Sequence, residues 1–455
     1  MKTSKTLFHR VFAALMVHFS LLAADAAENE MMAVGVAQVD ITPEYPVRLS
    51  GFGFRRTESE GVTQRIWAKA LAFGSEKDGP SVLISVDNKG LSLEICQELS
   101  RRLTRSTGLK PARLTVTSTH THTGPMLTDV SPTLFSVPIP PEHQTNIDRY
   151  TRELIDKMEQ VAVAAMKDIR PARLSWGIGE SDLAVNRRTK GGPVDHDLPV
   201  MFVRDLGGSV RAVYFSYACH CVVLSNNKIS GDWAGFAQES VQQLFPGSVA
   251  LASVGCGADS NPKSGVVGDA VEKCVALGKE LADEIKRISE KTKPITANPI
   301  LRSTLVRIPF DTPRTRAEWE TRNKNADAAI AYHAKVNLER MDRGEPLMKE
   351  MPYLIQTWTF GDQLAIVFLP GETVVDYSLR MKREFDRNRI WVNGYSNEER
   401  CYLPSERILK EGGYEGGGAM VYYDRPQRFA PGVEEKIMDA VYSQVPRTFQ
   451  SAKKE

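Results

Sequence analysis

A chain of 455 residues with 42% hydrophobic and 25% charged side chains has the make-up of an ordinary globular protein, which excludes global disorder and a disulfide-stapled miniature scaffold. Its formal net charge of +2 exerts no general pull toward nucleic acid or an anionic membrane surface. The length accommodates several average domains or one large α/β domain with insertions, and no internal repeat divides it.

In chain order, the first element reads as an export signal over residues 1–26. Lys2, Lys5 and Arg10 supply a positive start, Val11 to Ala23 an apolar run, and Ala24-Asp25-Ala26 a small-x-small cleavage site. The apolar run is shorter than the roughly 20 residues that span a bilayer, and no later segment is long and apolar enough to do so. The expectation is a secreted or periplasmic protein with no transmembrane segment after cleavage, comprising residues 27–455. Cleavage would remove three positive charges and one negative, leaving a neutral mature chain.

Val34 to Asp40 alternates apolar and polar residues as an early strand would, and Ser81 to Asp87 reads as a more buried one. Between them lies a glycine-rich loop, Ser50-Gly51-Phe52-Gly53-Phe54-Arg55-Arg56, whose aromatic rings and arginines suit either a site or a surface. Helical spacing of apolar residues predicts helices over Ile147 to Ile169 and Val271 to Ile288. Alternation of strands and helices predicts a layered α/β fold, a mixed β-sheet with flanking helices. From Thr315 the text becomes charged and helical, with a capping box at Thr315 and Glu318 and Gly344 near the end. This stretch, about 315–345, reads as a solvent-facing helical insertion. Strand-like text returns at Tyr353 to Thr359 and Gln363 to Leu369, followed by a loop rich in glycine from Gly412 to Gly418.

Four motifs carry candidate chemistry, and each lies just past a strand-like run. They are Thr119 to Pro125 with His120 and His122, Cys219-His220-Cys221, Gly255 to Pro262 with Asp259, Ser260 and Asn261, and Pro370-Gly371-Glu372-Thr373. Residues just beyond strands that end at one sheet edge meet in a crevice. His120, His220 and Glu372 then supply the nitrogen and oxygen donors that zinc prefers, with room for a water. Zinc lowers the pKa of such a water toward about 7 and polarises a carbonyl. Asp259 suits a general base or a partner for a ligating histidine, and Asp232 in Ser230-Gly231-Asp232-Trp233 is a similar candidate. A metal held by Cys219 and Cys221 is disfavoured, because paired zinc cysteines are usually spaced by two to four residues. Ser260 and Cys256 are competing nucleophiles, but neither sits in a Gly-x-Ser-x-Gly elbow. One of the arginines in Asn186-Arg187-Arg188 could bind an oxyanion or carboxylate, although a charged turn would look the same.

These residues resemble the neutral/alkaline, non-lysosomal ceramidase family, zinc amidases that split ceramide into sphingosine and a fatty acid. The resemblance runs from about Val34 to Tyr422. It rests on Asp40-Ile41-Thr42, Thr-His-Thr-His-Thr-Gly-Pro, Asn186-Arg187, His220 with Gly231-Asp232-Trp233, Pro370-Gly371-Glu372-Thr373, and Tyr402 with Tyr414-Glu415-Gly416 twelve residues on. It implies that His120, His220, Glu372 and Tyr402 bind zinc, and that His122, Arg187 and Tyr414 contact substrate or oxyanion. Tyr402 as a ligand rests on the resemblance alone.

Two departures qualify it. The family's third motif reads Gly-Asp-x-Ser-Pro-Asn, and aligning Asp259 and Pro262 puts Asn261 at the serine position. An amide can donate to an oxyanion but cannot be acylated, so zinc-water chemistry survives where a covalent serine route does not. The sequence also stops soon after the tyrosine motif, without text for the family's C-terminal immunoglobulin-like domain. The expected function is an exported zinc-dependent hydrolase of an N-acyl amide, acting on a small-molecule, glycoconjugate or lipid substrate and not on nucleic acid. The alternatives are a glycosidase for N-acetylgalactosamine or N-acetylhexosamine linkages in the same fold, with Asp259, Asp232 or Glu372 as acid and base, and a non-catalytic sugar- or lipid-binding protein. Oligomeric state has no signature in the sequence.

Overall fold

The protein is described by a computed structural model over residues 31–74 and 79–451; the export signal assigned to residues 1–26 lies outside these. Strand Ser81–Val86 is buried along its whole length, as a strand covered on both faces must be. It pairs in parallel with Leu114–Ser118 and antiparallel with Trp67–Phe73, which continues through Met32–Asp40, Arg170–Glu180, Asp197–Arg204 and Val210–Tyr217 to Val249–Val254. Lys293–Ile295 adds a ninth strand on Arg170–Glu180. The two parallel pairs of this sheet are each joined through a helix. Leu93–Thr107 makes the first crossover, started by the Ser92 side chain accepting from Ile95 N–H and ended at Gly108 with φ 74°.

A second sheet, Pro299–Pro309, Glu350–Phe360, Leu364–Phe368 and Ile390–Asn393, covers one face of the first. Period-two alternation divides its side chains. Trp358, Phe360, Ile366 and Phe368 pack with Leu71, Leu83, Trp176 and Leu251 of the large sheet, whereas Tyr353, Ile355, Ala365 and Val367 face the opposite way, toward helices Val375–Glu384 and Val433–Gln444. The other face of the large sheet is covered by Leu93–Thr107 and Pro141–Lys167 on one half, and by Asp232–Leu244 and Val271–Ile288 on the other. The result is four layers, helix, sheet, sheet and helix, in which each fully buried Leu, Val or Phe contributes about 1.5–3 kcal/mol. Strand Met32–Asp40 lies so close to helix Pro141–Lys167 that a Cβ at Gly35 would sit 1.8 Å from the Ala165 carbonyl oxygen.

The layered α/β fold is as expected, and the insertion differs in one respect. It forms two helices, Arg316–Asn323 and Ala328–Asp342, with the Thr315–Glu318 capping box in place. It is not merely solvent-facing. Trp319, His333, Ala334 and Asn337 are buried, and Asn337 and Arg340 donate to Asp424. So few inward residues among many charged ones leave a weak periodic signal. All six cysteines are free thiols, and Cys219 and Cys221 lie in the apolar core beside helix Asp232–Leu244. No helix among the described residues is long and apolar enough to cross a membrane.

Candidate metal centre and active site

The C-terminal ends of Leu114–Ser118, Val210–Tyr217, Val249–Val254 and Leu364–Phe368 deliver their following loops to one place. Thr121 bridges Cys221, and His122 N–H donates to the Cys221 carbonyl at 3.0 Å, so the first two motifs are stitched backbone to backbone. His120 adopts φ 57°, a strained conformation for a residue with a Cβ and one that concentrates at functional sites. Glu372 and Tyr402 stand side by side because the short strands Glu372–Thr373 and Tyr402–Leu403 pair in parallel.

The side chains converge. His120 Nε2 lies 3.4 Å from Glu372 Oε2, His220 Nε2 lies 3.1 Å from the same oxygen, and the Tyr402 hydroxyl is 3.3 Å from His220 Nε2. His122 Nε2 is 3.2 Å from His120 Nε2, so His122 joins the same group of donors. Donors bound about 2.0–2.2 Å from one ion lie roughly 3 Å apart, and the contacts of 3.1, 3.2, 3.3 and 3.4 Å found here are close to that. The residues therefore fit a metal ion, with nitrogen and oxygen donors of the kind zinc takes. Two groups among the described residues satisfy a metal-holding geometry: His120 with His122 and His220, and His120 with Glu372 and Glu399.

Electrostatics set the three histidines apart. Burial opposes protonation of His120, yet Glu372 and Glu399 outweigh it and push His120 up to about 9. Burial, aided by Arg187, holds His220 down at about 4, and burial with the neighbouring His120 and His220 keeps His122 well below its ordinary value. Glu372 is held well below the usual carboxylate range; burial works against this, and His120 and Lys89 overcome it.

The other expected residues divide. Arg187 donates to the Tyr402 oxygen at 3.0 Å and pairs with Glu415 at 2.8 Å, while the half-exposed Tyr414 ring stands 5.3 Å from that of Tyr402. Asn261 lines the cavity beside His122, Arg187 and Tyr402, and its Oδ1 has no partner. Ser260 is fully buried and does not line it. Asp259 is brought near but not onto a histidine: its carboxylate accepts from Val375 N–H at 2.8 Å and from the Asn186 amide at 3.2 Å, and burial raises it to about 6. Asp232, also raised to about 6 by burial, accepts from the backbone of Val223, Leu224 and Trp233, and so ties down the loop carrying His220. Two of the three carboxylates of the glycosidase reading, Asp259 and Asp232, thus spend lone pairs on hydrogen bonds of the scaffold.

Several functional neighbours escaped sequence reasoning. Glu399 Oε2 lies 3.0 Å from His120 Nδ1, the place where Asp259 was a candidate partner. Lys89 pairs with Glu399 and Glu372, Tyr423 donates to Glu372, and the Tyr395 ring covers that of His120 at 4.3 Å. Lys89 follows Ser81–Val86 at the same sheet edge and could have been found by position; Glu399, Tyr395 and Tyr423 sit in loops with no periodic signal.

Two cavities open from the centre and share Gly51, Phe52, His122, Tyr402 and Tyr414. One, about 590 Å³, is walled by Arg187, Arg188, Asn261 and Glu415. The other, about 390 Å³, is walled by Phe54, Leu134, Tyr422 and Tyr423 and by Asp327 to Ala329 at the start of the inserted helix.

Residues 32–253 match the family model described as neutral/alkaline non-lysosomal ceramidase, N-terminal. A solved structure described as a ceramidase complexed with C2 superposes with a TM-score of 0.71 at 16% identity, covering 90% of this chain and 74% of the other. The neutral ceramidase from Pseudomonas aeruginosa gives 0.71 at 17% identity, with 90% and 73% covered. No curated protein matches by sequence. Residues 32–253 thus belong to the neutral/alkaline non-lysosomal ceramidase family, and 90% of the chain takes the neutral ceramidase fold.

Proposed function

We propose that this protein is an exported zinc-dependent hydrolase that cleaves an N-acyl amide of the ceramide type with water as nucleophile. The observation that carries the reading is the convergence of His120, His220, Glu372 and Tyr402 through contacts of 3.1, 3.3 and 3.4 Å, with His122 beside them. A zinc ion held there would activate a water and polarise the scissile carbonyl. The chain's own groups do the rest. Arg187 and the Tyr414 hydroxyl, at the mouth of the larger cavity, donate to the carbonyl oxygen as it gains negative charge. Asn261 replaces the family's serine and can add a donor but no acyl acceptor, which supports direct attack by water. His122 faces both cavities and contacts the amide between them. The aromatic lining of the smaller cavity suits an apolar portion of a lipid substrate. Export rests on the text of residues 1–26, and the mature catalytic domain is residues 27–455.

The test is to assay purified protein, with and without a chelator, on a short-chain fluorescent ceramide and on a chromogenic N-acetylgalactosaminide. Chelator-sensitive release from the ceramide alone is expected. Release from the galactosaminide alone would replace this reading with the glycosidase.

A further inference from the structure

Beside the donor cluster stand three buried residues, Lys89, Glu399 and Tyr423, of which Lys89 and Tyr423 also border the smaller cavity. His120 Nδ1 faces two acceptors, the Lys89 carbonyl at 2.8 Å and Glu399 Oε2 at 3.0 Å. A nitrogen facing two acceptors keeps its proton, which makes Nε2 the nitrogen that offers a lone pair to a metal. On the other side, Glu372 divides its oxygens. Oε2 faces His120 and His220, whereas Oε1 accepts from the Tyr423 hydroxyl and has the Lys89 ammonium at 3.5 Å. Lys89 joins the two halves by pairing with Glu399 and donating to the Tyr423 oxygen at 2.9 Å.

We infer that Glu399 and Tyr423, linked through Lys89, are positioning residues that set the coordination at this site: Glu399 fixes the ring of His120, and Tyr423 occupies one oxygen of Glu372 so that only the other is free to ligate. The inference rests on the proposed metal reading. A carboxylate with both oxygens free can bind a cation through both and raise its coordination number, at the expense of the position a water needs. Keeping Oε1 occupied leaves room for a water beside the four protein donors. Second-layer partners of this kind are commonly worth 10–100-fold in metal affinity.

The test uses the mature chain loaded with Co²⁺, whose visible absorption weakens as its coordination number rises. Glu399→Gln and Tyr423→Phe are chosen because Lys89 replacements would strand two buried carboxylates. Circular dichroism checks that both variants fold. Glu399→Gln is expected to weaken Co²⁺ and Zn²⁺ binding by about 10–100-fold. Tyr423→Phe is expected to keep the metal but lower the visible absorption as Glu372 turns bidentate. Wild-type affinity in Glu399→Gln overturns the role given to Glu399, and a wild-type spectrum in Tyr423→Phe overturns the role given to Tyr423. A wild-type protein that takes up no metal would instead sink the metal reading itself, and this inference with it.

Discussion

Replacing Gly51 by alanine tests whether the position of His122 matters to catalysis. Gly51 has φ +88°, and a Cβ there would lie 2.5 Å from His122 Cγ, about 0.9 Å inside ordinary van der Waals contact. The loop cannot retreat. Ser50 N–H donates to the Gly124 carbonyl at 2.9 Å, Leu49 bridges Pro125, and Arg55 donates to the His122 carbonyl at 2.6 Å. The imidazole must therefore move by nearly the whole overlap, away from its 3.2 Å approach to His120. Left-handed backbone in a residue with a Cβ costs about 1–2 kcal/mol, so Tm should fall by a few degrees. A displacement of about 1 Å at a reacting group lowers rate about 10²-fold. His120, His220 and Glu372 are not touched by the new methyl, so zinc content should hold. The assay is kcat on the amide that wild type hydrolyses, with metal analysis and a thermal melt alongside. If kcat stays within about threefold while Tm drops, His122 is a bystander and the reasoning from position to rate is refuted.

Four further outcomes are expected. His120→Ala should abolish both activity and metal content, and retention of stoichiometric zinc would remove His120 from the ligand set. Ser260→Ala should leave most activity, because its buried hydroxyl does not line the cavity, whereas Asn261→Ala should lower kcat; the reverse order would restore a serine mechanism. Tyr414→Phe keeps the ring and removes one donor, so kcat should fall by roughly 10²–10³ with metal unchanged, and an unchanged kcat would reduce Tyr414 to packing. His333 is held at about 4 by burial, with Asp424 opposing and Arg322, Arg314 and Arg340 assisting. Below its unfolded value of about 6.5 the unfolded chain binds the proton that the folded chain refuses, so this stability is full above that pH and is lost as pH falls toward about 4. His333→Phe should flatten the melting temperature across that window, and an unaltered pH dependence would show that His333 is not the titrating group.

What the sequence alone determined follows from local rules. Period-two and helical spacing placed a strand from Val34 inside the observed Met32–Asp40, and Val271–Ile288 and the Thr315–Glu318 cap to the residue, because these patterns record which side of an element is buried. Strand-end position, joined to residue chemistry, pointed to His120, His122, His220 and Glu372, since strand ends gather at a sheet edge whatever their separation in the chain. Sequence order could not reveal which carboxylate meets which histidine. Asp259 lies in a motif and turned to the start of Val375–Glu384, while Glu399, in an unremarked loop 279 residues from His120, took the ring nitrogen. Nor could it place the inserted helices against the cavity, because Trp319, His333 and Asn337 are too few to mark a face among charged neighbours. Local pattern encodes the burial of one element at a time. The group beside the site, with Lys89, Glu399 and Tyr423 drawn from three distant segments, exists only once four packed layers fix their loops in register.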